Sequence, residues 1–204
     1  MTTATERAER SATDKFDARR RELADSALAA IAEHGFARTG LRDISARTDL
    51  STGILHYYFT GKDDLIAQAI WQYKSECARR YDPIVATSTS ADELIERFGV
   101  EISATLRDES DMHRLWYDLR NQSLFEDGFR DTIIAIDELL ADMVWAVVTK
   151  HAELRGASPT VDRETAYALV DGLFLNCLIG YLRGDLEALD HIRKRSAALL
   201  AASI

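Results

Sequence analysis

Leu50-Ser-Thr-Gly-Ile-Leu-His-Tyr-Tyr-Phe-Thr-Gly-Lys62 is the stretch on which the reading of this chain turns. Ser51 is a helix N-cap residue, and its hydroxyl can accept from the free N–H groups of the first turn. A short helix over Thr52–Phe59 follows from it. Leu55 points inward, together with Leu50 before the cap, and Tyr58 and Phe59 close the end. Thr52, Gly53, His56 and Tyr57 are then left on the outer side. Thr60-Gly61-Lys62 breaks the pattern before a longer helix opens at Lys62 or Asp63.

Working upstream, Leu41–Thr48 reads as a second short helix that turns Ile44 toward Leu50 and Leu55. Before it, a helix from about Asp17 to His34 places Leu23, Ala27, Ala30 and Ile31 on one face at helical spacing. Gly35 is positioned to end that helix in the left-handed conformation, with Phe36 packing back onto it. Two short helices joined by a tight turn inside a three-helix cluster form a helix-turn-helix, whose second helix offers its N-terminal residues to the DNA major groove. The outward residues suit that task. Gly53 lets backbone approach backbone closely. Thr52 and Tyr57 bring hydroxyls, His56 a ring nitrogen, and Ile54 an apolar surface for a thymine methyl. Arg42 and Lys62 flank the face with positive charge.

These residues resemble the signature of the TetR family of one-component transcriptional repressors, carried by Gly53-Ile-Leu-His-Tyr-Tyr-Phe-Thr-Gly-Lys62 and Gly35-Phe-Ala-Arg-Thr-Gly-Leu-Arg-Asp-Ile44 over residues 20–70. The resemblance implies an all-α protein: an N-terminal three-helix helix-turn-helix DNA-binding domain, then a larger helical ligand-binding and dimerisation domain. By position, Ser51, Thr52, Gly53, His56, Tyr57 and Lys62 match DNA-contact positions of the family, and Arg42 a phosphate contact. Gly40 departs from the usual Ser or Thr N-cap. Thr48-Asp49 replaces the usual Ala-Gly of the turn, which would ask Asp49 to tolerate positive φ.

Composition agrees with helix: two prolines and ten glycines in 204 residues, and no alternating β-branched run. The net charge of −9 argues against nucleic acid until it is resolved along the chain. Residues 1–70 hold ten Lys/Arg against eleven Asp/Glu, and residues 71–204 hold fifteen against twenty-three. The acidity therefore lies outside the helix-turn-helix, and a local basic face suffices for phosphate contact. Cys77 and Cys177 show neither metal-ligand spacing nor a disulfide framework. The polar N-terminus lacks the apolar core of a signal peptide, and no apolar run reaches a membrane span, the longest being Leu173–Leu182. A cytoplasmic regulator without membrane contact and without a cofactor or metal is the expectation.

The chain is segmented as a disordered tail over 1–16, the helix-turn-helix domain over 17–62, a connecting helix over 63–82, and the ligand-binding and dimerisation domain over 83–204. Leu65, Ile66, Ala69, Ile70 and Tyr73 form the buried stripe of the connecting helix, and Pro83 stops it. Ser90-Ala-Asp-Glu93 is a capping box opening the next helix. The segment Tyr167–Leu182 is apolar nearly all round, so it must bury more than one side. With the helix over about 127–154, the helix over 161–183 would form the homodimer interface that the resemblance implies, the alternative being a helix buried within one subunit. Met112, Trp116, Arg120, Phe125, Phe129, Trp145, Phe174, Asn176 and Cys177 are candidate walls for a largely apolar small-molecule effector. Asn176 is included because an amide in an apolar helix needs a partner. Two other functions compete: a small helical enzyme built on Glu109, His113 or His191, and a helical interaction protein without DNA binding. Against the enzyme, no catalytic motif is found, and the spacings Glu109/His113 and Glu187/His191 suit solvated helix faces better than metal sites.

Overall fold

The computed structural model describes the backbone of residues 4–35 and 39–204, and side chains from Asp14 onward apart from Ala29 and His34. Phe36 lies outside these. Among the described residues there are ten helices: α1 (Ala4–His34), α2 (Leu41–Arg47), α3 (Thr52–Tyr58), α4 (Lys62–Arg79), α5 (Asp82–Thr87), α6 (Ala91–Asp108), α7 (Ser110–Gln122), α8 (Arg130–Arg155), α9 (Arg163–Leu182) and α10 (Glu187–Ala202). The fold is all-α, as composition and periodicity require.

The first difference from the sequence reading is at the start. Residues 4–16, expected as a tail, continue α1 as one 31-residue helix. The alanines and alternating charges there are helix formers, so once the downstream part is held by packing the helix extends at little cost. Gly35 ends α1 with φ of 77°, the left-handed conformation anticipated for it. Pro83 does not end the connecting helix in the expected way. The helix stops at Arg79, and Pro83 sits in the first turn of α5, where its missing N–H is of no consequence.

The chain divides into two compact units, residues 1–73 with 115–133, and residues 74–114 with 134–204. The segmentation from sequence set its boundary at residue 83 and kept 115–133 with the C-terminal part. No linker composition marks the division into these units, because it falls inside α4, α7 and α8.

The first unit is organised around Leu23, Ala27 and Ile31 of α1, Ile44 of α2, Leu55 of α3, Phe59, and Leu65, Ile66, Ala69 and Ile70 of α4, all buried. Trp116, Leu119 and Phe129 are buried within the same unit. Polar ties fix α1 to α4. The Gln72 amide donates to the Asp25 carboxylate at 2.6 Å and to the Arg21 carbonyl at 3.2 Å.

In the second unit α10 lies along α6 and against α9. The close approach of α6 and α10 occurs at Gly99, where a Cβ would stand 3.1 Å from the Arg193 carbonyl oxygen. Ser103 donates to the Leu189 carbonyl at 2.9 Å across the same seam. Ser90 caps α6 by accepting from the Glu93 N–H, while the Glu93 carboxylate takes the N–H and hydroxyl of Thr89. Asp162 caps α9 through the Thr165 N–H.

Candidate nucleic-acid interface

The local chemistry of the turn decides how α2 and α3 meet. Gly40 precedes α2 without a side chain to cap it, and the Asp43 carboxylate instead accepts from the Gly40 N–H at 2.8 Å. Thr48 closes the far end. Its hydroxyl donates to the Ile44 carbonyl at 2.8 Å and accepts from the Leu50 N–H at 3.3 Å. That bridge corrects the expectation that Asp49 would need positive φ, since no described non-glycine residue adopts it. The Thr52 hydroxyl donates to Ser45 Oγ at 3.0 Å and ties α3 to α2. Ser51 accepts from the Ile54 N–H at 3.2 Å as the N-cap. Ile44, Leu55 and Phe59 are fully buried, whereas Leu50 and Tyr58 are only partly so.

The Ser51 cap yields a direct expectation. Ser51→Ala should lower thermal stability by about 1 kcal/mol, measured by denaturant unfolding. An unchanged midpoint would show that the cap bond contributes nothing.

The outer face of α3 carries Gly53, Ile54, His56 and Tyr57, all exposed, and Tyr57 is 72% exposed. Arg42 is exposed on α2. Thr52 is partly buried and its hydroxyl is engaged with Ser45, so it serves the turn as well as any outer contact. Lys62 opens α4 half-buried, and burial lowers its pKa against the pull of Asp63, Glu126, Asp118 and Asp43.

Behind α3, Arg20 of α1 pairs with Asp64 and lies over the Phe59 ring, 5.1 Å from its centroid. Asp64 also accepts from the Thr60 N–H and hydroxyl, so one carboxylate joins α1, the end of α3 and the start of α4.

This compact reading head is matched over residues 23–69 by the family described as bacterial regulatory proteins, tetR family. Over that stretch the chain carries the DNA-reading signature of the TetR family. Along most of its length it is similar to the HTH-type transcriptional regulator PksA of Bacillus subtilis, at 23% identity over 85% of each chain. It is also similar to the HTH-type transcriptional regulator BetI of Brucella anthropi, at 26% identity over 79% of this chain and 82% of that one. The transcriptional regulator FadR of Bacillus subtilis, solved in complex with stearoyl-CoA, shares the fold with a TM-score of 0.71 at 16% identity, over 89% of this chain and 97% of that one. The relatives it matches along most of its length are transcriptional regulators.

The candidate effector residues divide between the units. Trp116, Arg120, Phe125 and Phe129 belong to the first, and Met112, Trp145, Phe174, Asn176 and Cys177 to the second. Phe125 is 80% exposed in the connection before α8. Asn176 is exposed and its amide donates to the Gly172 carbonyl at 2.7 Å, one turn back on α9. Its place in an apolar helix thus needs no ligand to explain it. Trp116, Phe129, Phe174 and Cys177 are buried.

A buried polar group was missed. His113, expected on a solvated face with Glu109, is buried with its Nδ1 3.2 Å from the ammonium of buried Lys74 and its ring against Phe174. Glu109 instead accepts from Arg80 at 2.6 Å. Burial, with Lys74 and Arg80 nearby, holds His113 well below its usual pKa, so the ring is neutral. Among the described residues, no group of three or more His, Cys, Asp or Glu could hold a metal ion.

One further correction concerns α9. The apolar run reaches farther than Leu173–Leu182: the whole 20-residue helix is long and apolar enough to cross a membrane, and only 28% of its apolar window is buried within the chain.

Proposed function

We propose that the protein binds a palindromic DNA operator as a homodimer, represses transcription there, and is released by a small-molecule effector. The observation that carries the reading is the exposed outer face of α3, Gly53, Ile54, His56 and Tyr57, held on a turn tied by Thr48 to Ile44 and Leu50 and by Thr52 to Ser45. In a two-fold dimer two such helices enter successive major grooves about 34–36 Å apart. Ser51, Thr52, Gly53, His56, Tyr57, Arg42 and Lys62 are the proposed contacts. The N–H groups that open α4 beside Lys62 would add a phosphate seat.

The exposed side of α9 supports the dimer. Leu169, Ile179 and Leu182 are 42–47% exposed there. Gly172 lies between them, and a Cβ on it would meet nothing within 4 Å. Nothing inside one chain calls for a glycine at that point, whereas a partner helix could approach closely over it. The helix itself argues against a membrane span, because Asp171 lies mid-helix and a carboxylate there is costly in lipid. The homodimer surface is therefore α9, with α8 beside it through Arg163, which donates to the carboxylates of Glu138 and Asp142.

The effector is a largely apolar small molecule, in keeping with the aromatic and sulfur-bearing residues Met112, Trp145, Phe174 and Cys177 in the second unit. Its binding favours a state in which α4, which runs through both units, has shifted, so that the two reading helices no longer match the operator.

The decisive experiment selects bound fragments from genomic DNA and measures their affinity with and without candidate effectors, stearoyl-CoA and shorter acyl chains among them. Tyr57→Ala should weaken retention of the selected duplex by about ten- to a hundredfold. Retention by Tyr57→Ala at wild-type affinity, or a selection that yields no preferred sequence, would overturn the proposal. A bound effector that leaves affinity unchanged would remove its regulatory part.

A further inference from the structure

Phe16 lies in the part of α1 that sequence reading assigned to a tail, yet it reaches the recognition helix. Its ring is 4.8 Å from that of Tyr58 at a tilt of 32°, and 6.1 Å from that of Tyr57 in an edge arrangement. Tyr57 and Tyr58 stand 4.9 Å apart, almost perpendicular. All three pairs fall within the range where edge-to-face and offset aromatic contacts attract. Tyr57 is 72% exposed, and Phe16 itself 36%. An exposed tyrosine near the end of a short helix would ordinarily sample several rotamers, and each must be given up when it is immobilised against DNA. Packing beside a second ring narrows that choice before DNA arrives.

We propose that Phe16 is a positioning residue of the DNA interface, holding Tyr57 ready through a three-ring cluster with Tyr58. The inference rests on the reading of α3 as the DNA-contacting helix. Phe16 carries no charge and acts through Tyr57, so its loss should weaken binding without altering the salt dependence, which counts phosphate contacts. It also gives the continuous α1 a role: were the chain disordered up to Asp17, as its sequence suggested, no ring would be presented to Tyr57.

The test is a double-mutant cycle on the full-length protein, using fluorescence anisotropy with the duplex selected from genomic DNA. Phe16→Ala should weaken binding by about three- to tenfold with an unchanged salt slope. Phe16→Leu, which keeps an apolar contact and protects the fold, should fall between Phe16→Ala and wild type. Phe16→Tyr should bind within about twofold of wild type. In a Tyr57→Ala background, Phe16→Ala should add little, because residues acting as one unit are not additive. Wild-type affinity in both Phe16→Ala and Phe16→Leu, or losses that simply multiply in the double variant, would overturn the inference while leaving the DNA-binding reading intact. If Tyr57→Ala alone binds normally, the reading of α3 fails, and the role of Phe16 fails with it.

Discussion

Ile179→Glu should turn the protein into a monomer with a roughly 10²–10⁴-fold weaker hold on a palindromic duplex. Ile179 is 47% exposed in a single chain, on the side of α9 that also carries Leu169, Gly172 and Leu182. In the proposed dimer that face meets its two-fold copy, so each substitution enters the interface twice. Two carboxylates forced into an apolar seam face a desolvation cost that the exposed Arg183, one turn along, offsets only in part. The monomer would keep its reading head but lose the second, intramolecular engagement. Sedimentation or light scattering gives the oligomeric state, and anisotropy gives the affinity. Val100→Glu is the control, since Val100 is equally exposed but lies on α6. A dimeric Ile179→Glu variant at micromolar concentration would show that α9 is not the contact.

The second large effect is a pH dependence centred on Lys74. Burial lowers its pKa from 10.5 to about 8, even though Asp171, Glu109 and Cys77 draw it upward. Below pH 8 the lysine is charged in both folded and unfolded chains, and the folded state carries the full cost of the buried charge. Between pH 8 and 10.5 the folded chain has released its proton while the unfolded chain still holds one, so stability rises with pH. The interval is worth about 3 kcal/mol in total, at about 1.4 kcal/mol per pH unit. Tyr81 sets the upper edge of the usable window. Its buried phenol is pushed well above its usual pKa of 10.0, and burial likewise raises the Cys177 thiol from 9.0, so the unfolded chain ionises these groups first and they oppose the gain, equally in wild type and variant. The comparison of wild type with Lys74→Met is therefore made between pH 8 and 10, at one protein concentration. Over that range wild type should gain about 2 kcal/mol on the variant. The gap is informative whatever the packing cost of methionine, because that cost does not titrate. A gap that stays flat would mean Lys74 titrates like a solvated lysine.

Much of the helix-turn-helix was legible because its determinants are local. Ser51 as a cap, Gly35 as a left-handed stop, and the inward placing of Ile44 and Leu55 follow from spacings of a few residues, and the structure repeats them. The turn was legible only in part. Its substitution at Thr48-Asp49 looked like a demand for positive φ, and the Thr48 hydroxyl met it by bonding to Ile44 and Leu50. The surroundings of the effector candidates were not legible. Aromatic and polar residues at helical spacing cannot reveal which compact unit will contain them, or that Asn176 finds its partner on its own helix.

By itself, the sequence determined the helical class, the family signature over the reading head and the face of α3 that looks outward, since these depend on periodicity, capping and turn chemistry within short windows. Only the tertiary structure decided where the units divide, that α1 carries Phe16 to Tyr57, and that Lys74 is buried beside His113. The physical reason is separation along the chain. Lys74 and His113 are 39 positions apart, and burial is a property of what folds over a residue, which no local pattern around either one encodes.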